Sequence, residues 1–294
     1  MIYTCTTNPS LDYFISLPEL HLGLDNRSDL EIFEAGGKGV NVSIVLNNFH
    51  IPNVALGFLG GFTKDYYLNF ITDYPYIQPL FTTIKDNTRI NVKIMDKDVQ
   101  TDINAKGPHI SDEEFNKFRQ RLNNVYAGDF FVLSGNVEDE IKDKIVDVIH
   151  ELSKENVRII LDTDRDILDK CLDTKIFAVK LNDHNILDDI LKEGREMVEK
   201  GVDYVLYSAP DKNAYMFGKD EILTSENNKD SLINVTGSSD SLLAGFIYGV
   251  MRAADTIESF KYANAAALAT SMSNDLASKE KIEELFDKIE VKKL

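Results

Sequence analysis

The residues with the clearest chemical potential stand near the C-terminal end, in Asn234-Val235-Thr236-Gly237-Ser238-Ser239-Asp240-Ser241-Leu242-Leu243-Ala244-Gly245-Phe246. The run reads as the end of an apolar strand, a turn of small residues and the first turns of a helix. Thr236 or Ser238 is placed to cap that helix, and Leu242, Leu243 and Phe246 fall at helical spacing on a buried face. Such a turn points unpaired backbone N–H groups and the positive end of a helix dipole outward, which makes an anion site. Asp240 sits at its mouth, either as an acid favourably placed against the dipole or as a base acting on whatever the turn binds. A second run, Ala35-Gly36-Gly37-Lys38-Gly39-Val40-Asn41-Val42-Ser43, precedes Ile44, Val45, Leu46 and Phe49 at helical spacing. Glycines before a helix let either a ligand or a neighbouring element come close to the backbone. The spacing to Lys-Ser/Thr is not that of a Walker phosphate loop.

Composition narrows the partners. With 294 residues the chain can bury a sizeable core, as one large α/β domain or one domain with an appendage. Its 43% hydrophobic and 28% charged residues are the composition of an ordinary soluble globular protein. A net charge of −17 leaves no basic stripe to neutralise phosphates of a nucleic acid, so none is expected as a partner. Cys5 and Cys171 fit a reducing compartment and lack metal-ligand spacing, and the five histidines are scattered. No apolar run approaches the length of a membrane span, and the chain opens directly into a strand, without the basic and apolar regions of a signal peptide. A cytoplasmic location is expected.

The elements that must position these residues follow in order. Met1 to Thr6 reads as a strand ending at the Asn8-Pro9 turn, then Asp12 to Leu17 as a second, partnered by Leu30 to Phe33. After the glycine run and its helix come a strand over Val54 to Leu59, Gly60-Gly61, and a helix around Tyr66 to Ile71. Thr88 to Met95 and Val99 to Asn104 flank Asp96-Lys97-Asp98 as a hairpin. Ser111 with Glu114 gives a capping box. Thereafter strands (Phe130–Leu133, Val157–Leu161, Phe177–Leu181, Tyr204–Tyr207) alternate with helices (Glu140–Leu152, Leu187–Lys200). Ala214–Phe217 and Glu221–Leu223 form an antiparallel edge pair, and helices near 239–252 and 257–274 close the fold. Continuous apolar strands alternating with helices mean a mostly parallel sheet covered on both faces, with ligands outside the carboxyl ends of its strands. The loops at Gly36, Ser134, Lys180, Ser208 and Gly237 then share one rim.

The Gly-Gly-Lys-Gly-Val-Asn-Val run at 36–42 and the Thr-Gly-Ser-Ser-Asp-Ser-Leu-Leu-Ala-Gly-Phe run at 236–246 resemble the two signatures of the PfkB (ribokinase-like) sugar kinases. The resemblance runs nearly end to end. Asn8-Pro9-Ser10-Leu11-Asp12, Thr88-Arg89-Ile90-Asn91-Val92-Lys93, Asn104-Ala105-Lys106-Gly107-Pro108, Leu133-Ser134-Gly135 and Lys180-Leu181-Asn182 match in order and spacing. The Thr-Arg-Ile-Asn-Val-Lys run and Ala-Leu-Ala-Thr-Ser-Met-Ser-Asn at 267–274 are most similar to the 1-phosphofructokinase and tagatose-6-phosphate kinase branch.

That resemblance implies a single ribokinase-like domain over 1–294: a three-layer α/β sandwich around a mostly parallel sheet, with a β-sheet lid from about 12–35 and 86–105. It implies ATP and Mg²⁺ as cofactors, a phosphosugar as acceptor, and a homodimer formed through the lid. Asp240 would take the proton of the acceptor hydroxyl while the N–H groups of Gly237, Ser238, Ser239 and Asp240 hold the phosphoryl group. Asp12, Gly36, Gly37, Asn41 and Asn136 would bind the sugar. Arg89, with Lys38 and Arg27, would grip its existing phosphate, for which an Arg fork is suited. Lys180, Asn182, Ser208, Lys212, Asn213 and Asn264 would face the nucleotide, and Asn185 the metal.

The nucleotide half departs from the family pattern. Gly-Ala-Gly-Asp becomes Gly237-Ser238-Ser239-Asp240, which puts a Cβ where backbone meets the phosphoryl group and removes tolerance for positive φ. Asn185 replaces the Glu that organises Mg²⁺. Ser208-Ala209-Pro210-Asp211-Lys212-Asn213 replaces the usual glycine-containing loop, and Leu276 replaces a glycine beside the adenine. These changes read either as drift in an active kinase whose contacts are mostly backbone, or as a phosphosugar-binding regulator with a degenerate ATP site. Retention of Asp240, Asn182 and Lys180 favours the kinase, most simply one converting fructose 1-phosphate to fructose 1,6-bisphosphate, with tagatose 6-phosphate and fructose 6-phosphate next.

Overall fold

Strands rich in β-branched and aromatic residues, apolar on both faces, assemble the centre of the molecule. The computed structural model describes residues 1–97, 99–182, 187–208, 213–226, 233, 236–252 and 255–294. Its strands are β1 (Ile2–Thr6), β2 (Ser10–Leu17), β3 (Leu30–Gly36), β4 (Asn53–Gly60), β5 (Ile77–Pro79), β6 (Thr82–Ile84), β7 (Arg89–Asp96) and β8 (Val99–Ile103). They continue as β9 (Phe130–Ser134), β10 (Arg158–Asp162), β11 (Ala178–Asn182), β12 (Tyr204–Ser208), β13 (Ala214–Phe217), β14 (Ile222–Ser225) and β15 (Val291–Lys293). The helices are α1 (Lys38–Asn48), α2 (Gly61–Thr72), α3 (Asp112–Arg121), α4 (Lys142–Lys154), α5 (Arg165–Cys171), α6 (Leu187–Glu199), α7 (Ser238–Met251), α8 (Thr256–Ser271) and α9 (Lys279–Phe286).

The large sheet runs β15-β14-β13-β12-β11-β10-β9-β1-β4-β5, with β6 also paired to β4. It is parallel from β12 to β5 and antiparallel from β12 out to β15. The two-residue period of a strand sends Phe131 and Leu133 to a core beneath α3, α4, α5 and α6. Phe130 and Val132 go to a second core beneath α1, α7, α8 and α9. This is the expected three-layer α/β architecture. A separate four-stranded sheet, β3-β2-β7-β8, uses the segments expected for the lid. Its register puts Asp12 opposite Glu34 on one side and Asn91 on the other.

Several local expectations change. Neither Thr236 nor Ser238 caps α7: its N-cap is Gly237 at φ 74°, a left-handed conformation glycine takes without the Cβ clash. The Ser238 hydroxyl instead donates to Ala267 O, and the Ser241 hydroxyl to Gly237 O. The β13–β14 pair is not the edge, because β15 adds outside β14. Helix α2 begins at Gly61, well before Tyr66, and α9 with β15 follows the two helices expected to end the fold. Strands β5 and β6, of three residues each, and the seven-residue α5 are too short to carry a periodic signal. The capping box at Ser111 is present as read, with Ser111 and Glu114 bonding reciprocally.

Helices α7 and α8 meet at backbone contact. A Cβ on Gly245 would stand 2.4 Å from Tyr262 O and 2.9 Å from the Ala266 Cβ, so the crossing closes only on glycine. That crossing sets the height of the α7 N-terminus, and with it Asp240. Gly245→Val is expected to destabilise the fold by about 3 kcal/mol or more. A lowered midpoint in urea unfolding would show it, and an unchanged midpoint would refute the close-contact account.

Candidate active site

In a parallel sheet every strand ends on the same side, and the helices that follow begin there, so one rim collects strand C-termini and helix N-termini. Here β9 ends at Ser134, β10 at Asp162 and β11 just past Lys180, while α1 opens at Lys38 and α7 at Ser238. Asp240 lies in the first turn of α7, 3% exposed. Its Oδ2 accepts a hydrogen bond from Asn41 Nδ2 at 2.8 Å, one turn into α1, which ties the two glycine-rich runs together. Its Oδ1 is buried and has no hydrogen-bond partner among the described residues.

Three further charges surround that carboxylate. Lys180, its side chain 0% exposed, places Nζ 3.0 Å from Asp162 Oδ1, and Lys38 Nζ lies 3.5 Å from the same oxygen. Burial pushes the Asp240 carboxyl up to about 6, and the charge of Asp162 adds to the rise, while Lys180, the Asn41 hydrogen bond and Lys38 oppose it. A carboxylate tuned in this way is ionised at neutral pH yet holds a proton more tightly than an exposed aspartate. Those are the properties of a general base.

On the small sheet, Asp12 is held from three directions. Ser10 Oγ donates to its Oδ1 at 2.7 Å, Asn91 Nδ2 to the same oxygen at 2.9 Å, and Lys93 Nζ lies 3.0 Å from Oδ2. Gly36 pairs with Ser10 across β2 and β3, and Gly37 forms the N-cap of α1. Arg89 opens β7, and its guanidinium donates to Asn8 O at 3.1 Å, Ala105 O at 3.2 Å and, weakly, Asn91 Oδ1 at 3.4 Å. These acceptors are neutral. Arg89 Nε is buried without a partner among the described residues. Burial lowers its pKa against the opposing pull of Asp12 and Glu138, and no carboxylate among the described residues is in ion-pair contact with it.

The structure therefore brings Asp240, Gly237, Ser238, Lys38, Asn41 and Lys180 to one rim, and Asp12, Gly36, Gly37 and Arg89 to the adjoining end of the small sheet. Ser239 is the second residue of α7, half-buried on ordinary helical backbone, so positive φ is required at Gly237 alone. The Ser238 side chain is turned into the α7–α8 contact, leaving its N–H as the group it can offer. Leu276 packs over Gly237, its Cδ2 2.5 Å from where a Cβ would stand. Asn136 is exposed in the loop after β9, its carbonyl accepting from Thr7 Oγ1 at 3.2 Å. Arg27 is exposed between β2 and β3, beyond the Ser16–Leu30 pair and so at the hairpin end remote from Asp12. Asn264 corrects an expectation: it is 0% exposed on α8, its Nδ2 donating to Phe260 O one turn back, because helical spacing turns it into the core. Asn182 and Ser208 end β11 and β12, and Asn213 precedes β13. Asn185 and Lys212 lie outside the described residues.

Three residues at the site escaped the sequence reading. Asn91 and Lys93 follow Arg89 at alternate positions of one strand, so the strand period alone puts them on the same face. Asp162 is an acid that follows the apolar, buried Ile159, Ile160 and Leu161, a signal readable at the carboxyl edge of a parallel sheet.

A family model described as pfkB family carbohydrate kinase matches residues 32–281. The 1-phosphofructokinase of Bacillus subtilis is 33% identical over 305 residues, covering 100% of both chains. The D-tagatose-1-phosphate kinase of Bacillus licheniformis is 27% identical over 303 residues, covering 99% of each. The solved phosphofructokinase-2 of Escherichia coli in complex with substrates and products shares the fold, with a TM-score of 0.91 over 98% of each chain at 22% identity.

The raised pKa of Asp240 has a consequence for stability. Folding favours its neutral form, so the stabilisation from Asp240 is complete at acid pH and is lost as pH rises through about 6. Asp240→Asn, neutral throughout, is expected to match the wild-type melting temperature near about pH 4 and exceed it by about pH 8. A difference that does not grow with pH would refute the burial of an ionised base.

Proposed function

The chain belongs to the pfkB family of carbohydrate kinases, phosphotransferases acting on a sugar hydroxyl, and we propose that its acceptor is fructose 1-phosphate, converted by ATP to fructose 1,6-bisphosphate. Tagatose 6-phosphate and fructose 6-phosphate are the next candidates. The observation that carries the reading is Arg89, a cation held by neutral acceptors beside Asp12 in a chain of net charge −17. A guanidinium supported in this way keeps its charge for a phosphate, and an acidic protein has few other places to put one. The phosphorylated ketohexoses named for the two Bacillus relatives support the same class of acceptor.

The geometry then divides the labour. Asp12, fixed by Ser10, Asn91 and Lys93, orients acceptor hydroxyls, and Asp240, fixed by Asn41, takes the proton of the one that attacks. The N–H groups at Gly237 to Asp240 and the dipole of α7 stabilise the phosphoryl group in flight. Lys38 and Lys180 add positive charge beside the base. No group of three or more described His, Cys, Asp or Glu side chains forms a metal cage; a Mg²⁺ bound with the nucleotide would supply charge neutralisation. The small sheet covers the acceptor and excludes water, the competing acceptor for the phosphoryl group. A phosphosugar binder without ATP use draws no support from the turn, where Ser239 needs no glycine conformation and Asp240 keeps Asn41.

The small sheet also exposes Leu30, Ile32 and Met95 on one face, an apolar surface suited to a second copy of the sheet and hence to a homodimer. Leu30→Lys is expected to convert a dimer to a monomer in size-exclusion chromatography with light scattering. A wild type that is monomeric at micromolar concentration would remove the dimer from the reading.

Coupled ADP release with ATP, Mg²⁺ and each sugar phosphate tests the activity itself. Turnover is expected with fructose 1-phosphate, lost by about a thousandfold in Asp240→Asn. Arg89→Met is expected to raise KM for the sugar phosphate about a hundredfold with less effect on kcat. An Arg89→Met enzyme with unchanged KM would overturn the phosphate assignment.

A further inference from the structure

The division of labour above leaves one buried charge without a task. Asp162 closes β10 with its side chain 2% exposed, Oδ1 facing both Lys180 at 3.0 Å and Lys38 at 3.5 Å. Its Oδ2 is buried and has no hydrogen-bond partner among the described residues. A carboxylate present only to neutralise Lys180 would be better satisfied with both oxygens engaged, and a buried ion pair is seldom more stabilising than apolar residues of the same volume. What this pair contributes is location: one oxygen joins a lysine on β11 to a lysine at the head of α1, and the Asp240 carboxylate on α7 is their electrostatic neighbour.

We propose that Asp162 is a positioning residue for phosphoryl transfer, gathering the ammonium groups of Lys38 and Lys180 at one point beside the Asp240 carboxylate. The inference rests on the kinase reading. Its chemical content is twofold. Two ammonium groups pinned at one oxygen form a preorganised cationic surface that needs no reorganisation as charge develops on the phosphoryl oxygens. The same carboxylate keeps Asp240 basic, because unopposed lysines would hold the base too firmly in its ionised form to accept a proton. The charged groups acting on Asp240 are Lys38 from α1, Asp162 from β10 and Lys180 from β11, with the neutral Asn41 bonded to it directly.

The sign of each substitution follows. Asp162→Asn removes a repulsion and the negative charge that offsets Lys38 and Lys180, and both changes lower the pKa of Asp240. The acid limb of kcat/KM is expected to move down by about one pH unit, with kcat reduced about tenfold or more. Lys180→Gln removes an attraction and is expected to move the limb upward. Asp162→Glu restores the charge and is expected to return the limb towards the wild-type position. A residue with a merely structural role would leave the limb in place, or would move it the same way in the Asp162 and Lys180 variants; either result overturns the proposal.

A second readout does not depend on turnover. The melting-temperature gain of Asp240→Asn over its parent is followed against pH in wild-type, Asp162→Asn and Lys180→Gln backgrounds. The gain is expected to level off at lower pH and be smaller without Asp162, and to level off at higher pH and be larger without Lys180. If no sugar phosphate is turned over, the kinase reading falls while this comparison still decides whether Asp162 controls the base. Identical pH dependence in the wild-type and Asp162→Asn backgrounds overturns the proposal whatever the activity. Should Asp162→Asn not fold, the Lys180→Gln and Asp162→Glu arms decide it by the same readouts.

Discussion

A carboxylate that must be buried and still ionise is the constraint on which the rest of this structure depends. Asp240 could not carry a negative charge in an apolar interior unaided. Four groups compensate. The N-terminus of α7 offers its dipole and free N–H groups, Asn41 donates a hydrogen bond, and Lys180 and Lys38 supply charge from two other elements. They come from α7, α1 and β11, so the base exists only when the sheet, α1 and α7 are all in place. The α7–α8 contact at Gly245 and the parallel register of β10 and β11 thus become requirements of the chemistry as much as of the fold.

The acidic balance of the chain makes the distribution of its cations informative. Most lysines and arginines in ion pairs are solvated at the surface, where such pairs contribute little. Arg89, Lys93 and Lys180 are different: each is largely removed from water and tied to atoms at the rim or at the end of the small sheet that adjoins it. A positive interior set in a negative exterior favours small, multiply charged anions at one place and discourages polyanions elsewhere. That pattern suits a phosphosugar and a nucleotide phosphate far better than a nucleic acid.

The departures from the family pattern around the nucleotide look less severe once the backbone is seen. Glycine's conformational freedom is used at Gly237, and the following residues are already helical, so Ser238 and Ser239 are tolerated for the same reason any serine is tolerated at a helix start. Ser238 is even useful, since its hydroxyl closes a buried network with Ala267 and Ser271 that locks α7 to α8. Leu276 covers Gly237, in place of the glycine usual beside an adenine, which narrows the approach to the turn without displacing it.

Much of this was legible in the residues. Runs apolar on both faces, alternating with helices, dictated a covered parallel sheet, and the strand period dictated which of Arg89, Asn91 and Lys93 share a face. Spacing in the glycine-rich runs located both helix N-termini that meet at the site. What the residues could not supply were distances between elements far apart in the chain. That Asn41 bonds Asp240 across 199 residues, that Asp162 gathers two lysines, and that Asn264 is turned inward while Arg27 stands at the far end of its hairpin were decided by tertiary packing. Local propensity and period act over a few residues and set the direction of a side chain within its own element. The electrostatic environment of a buried carboxylate is set by whichever elements pack against it, and only the assembled sheet and helices determine those.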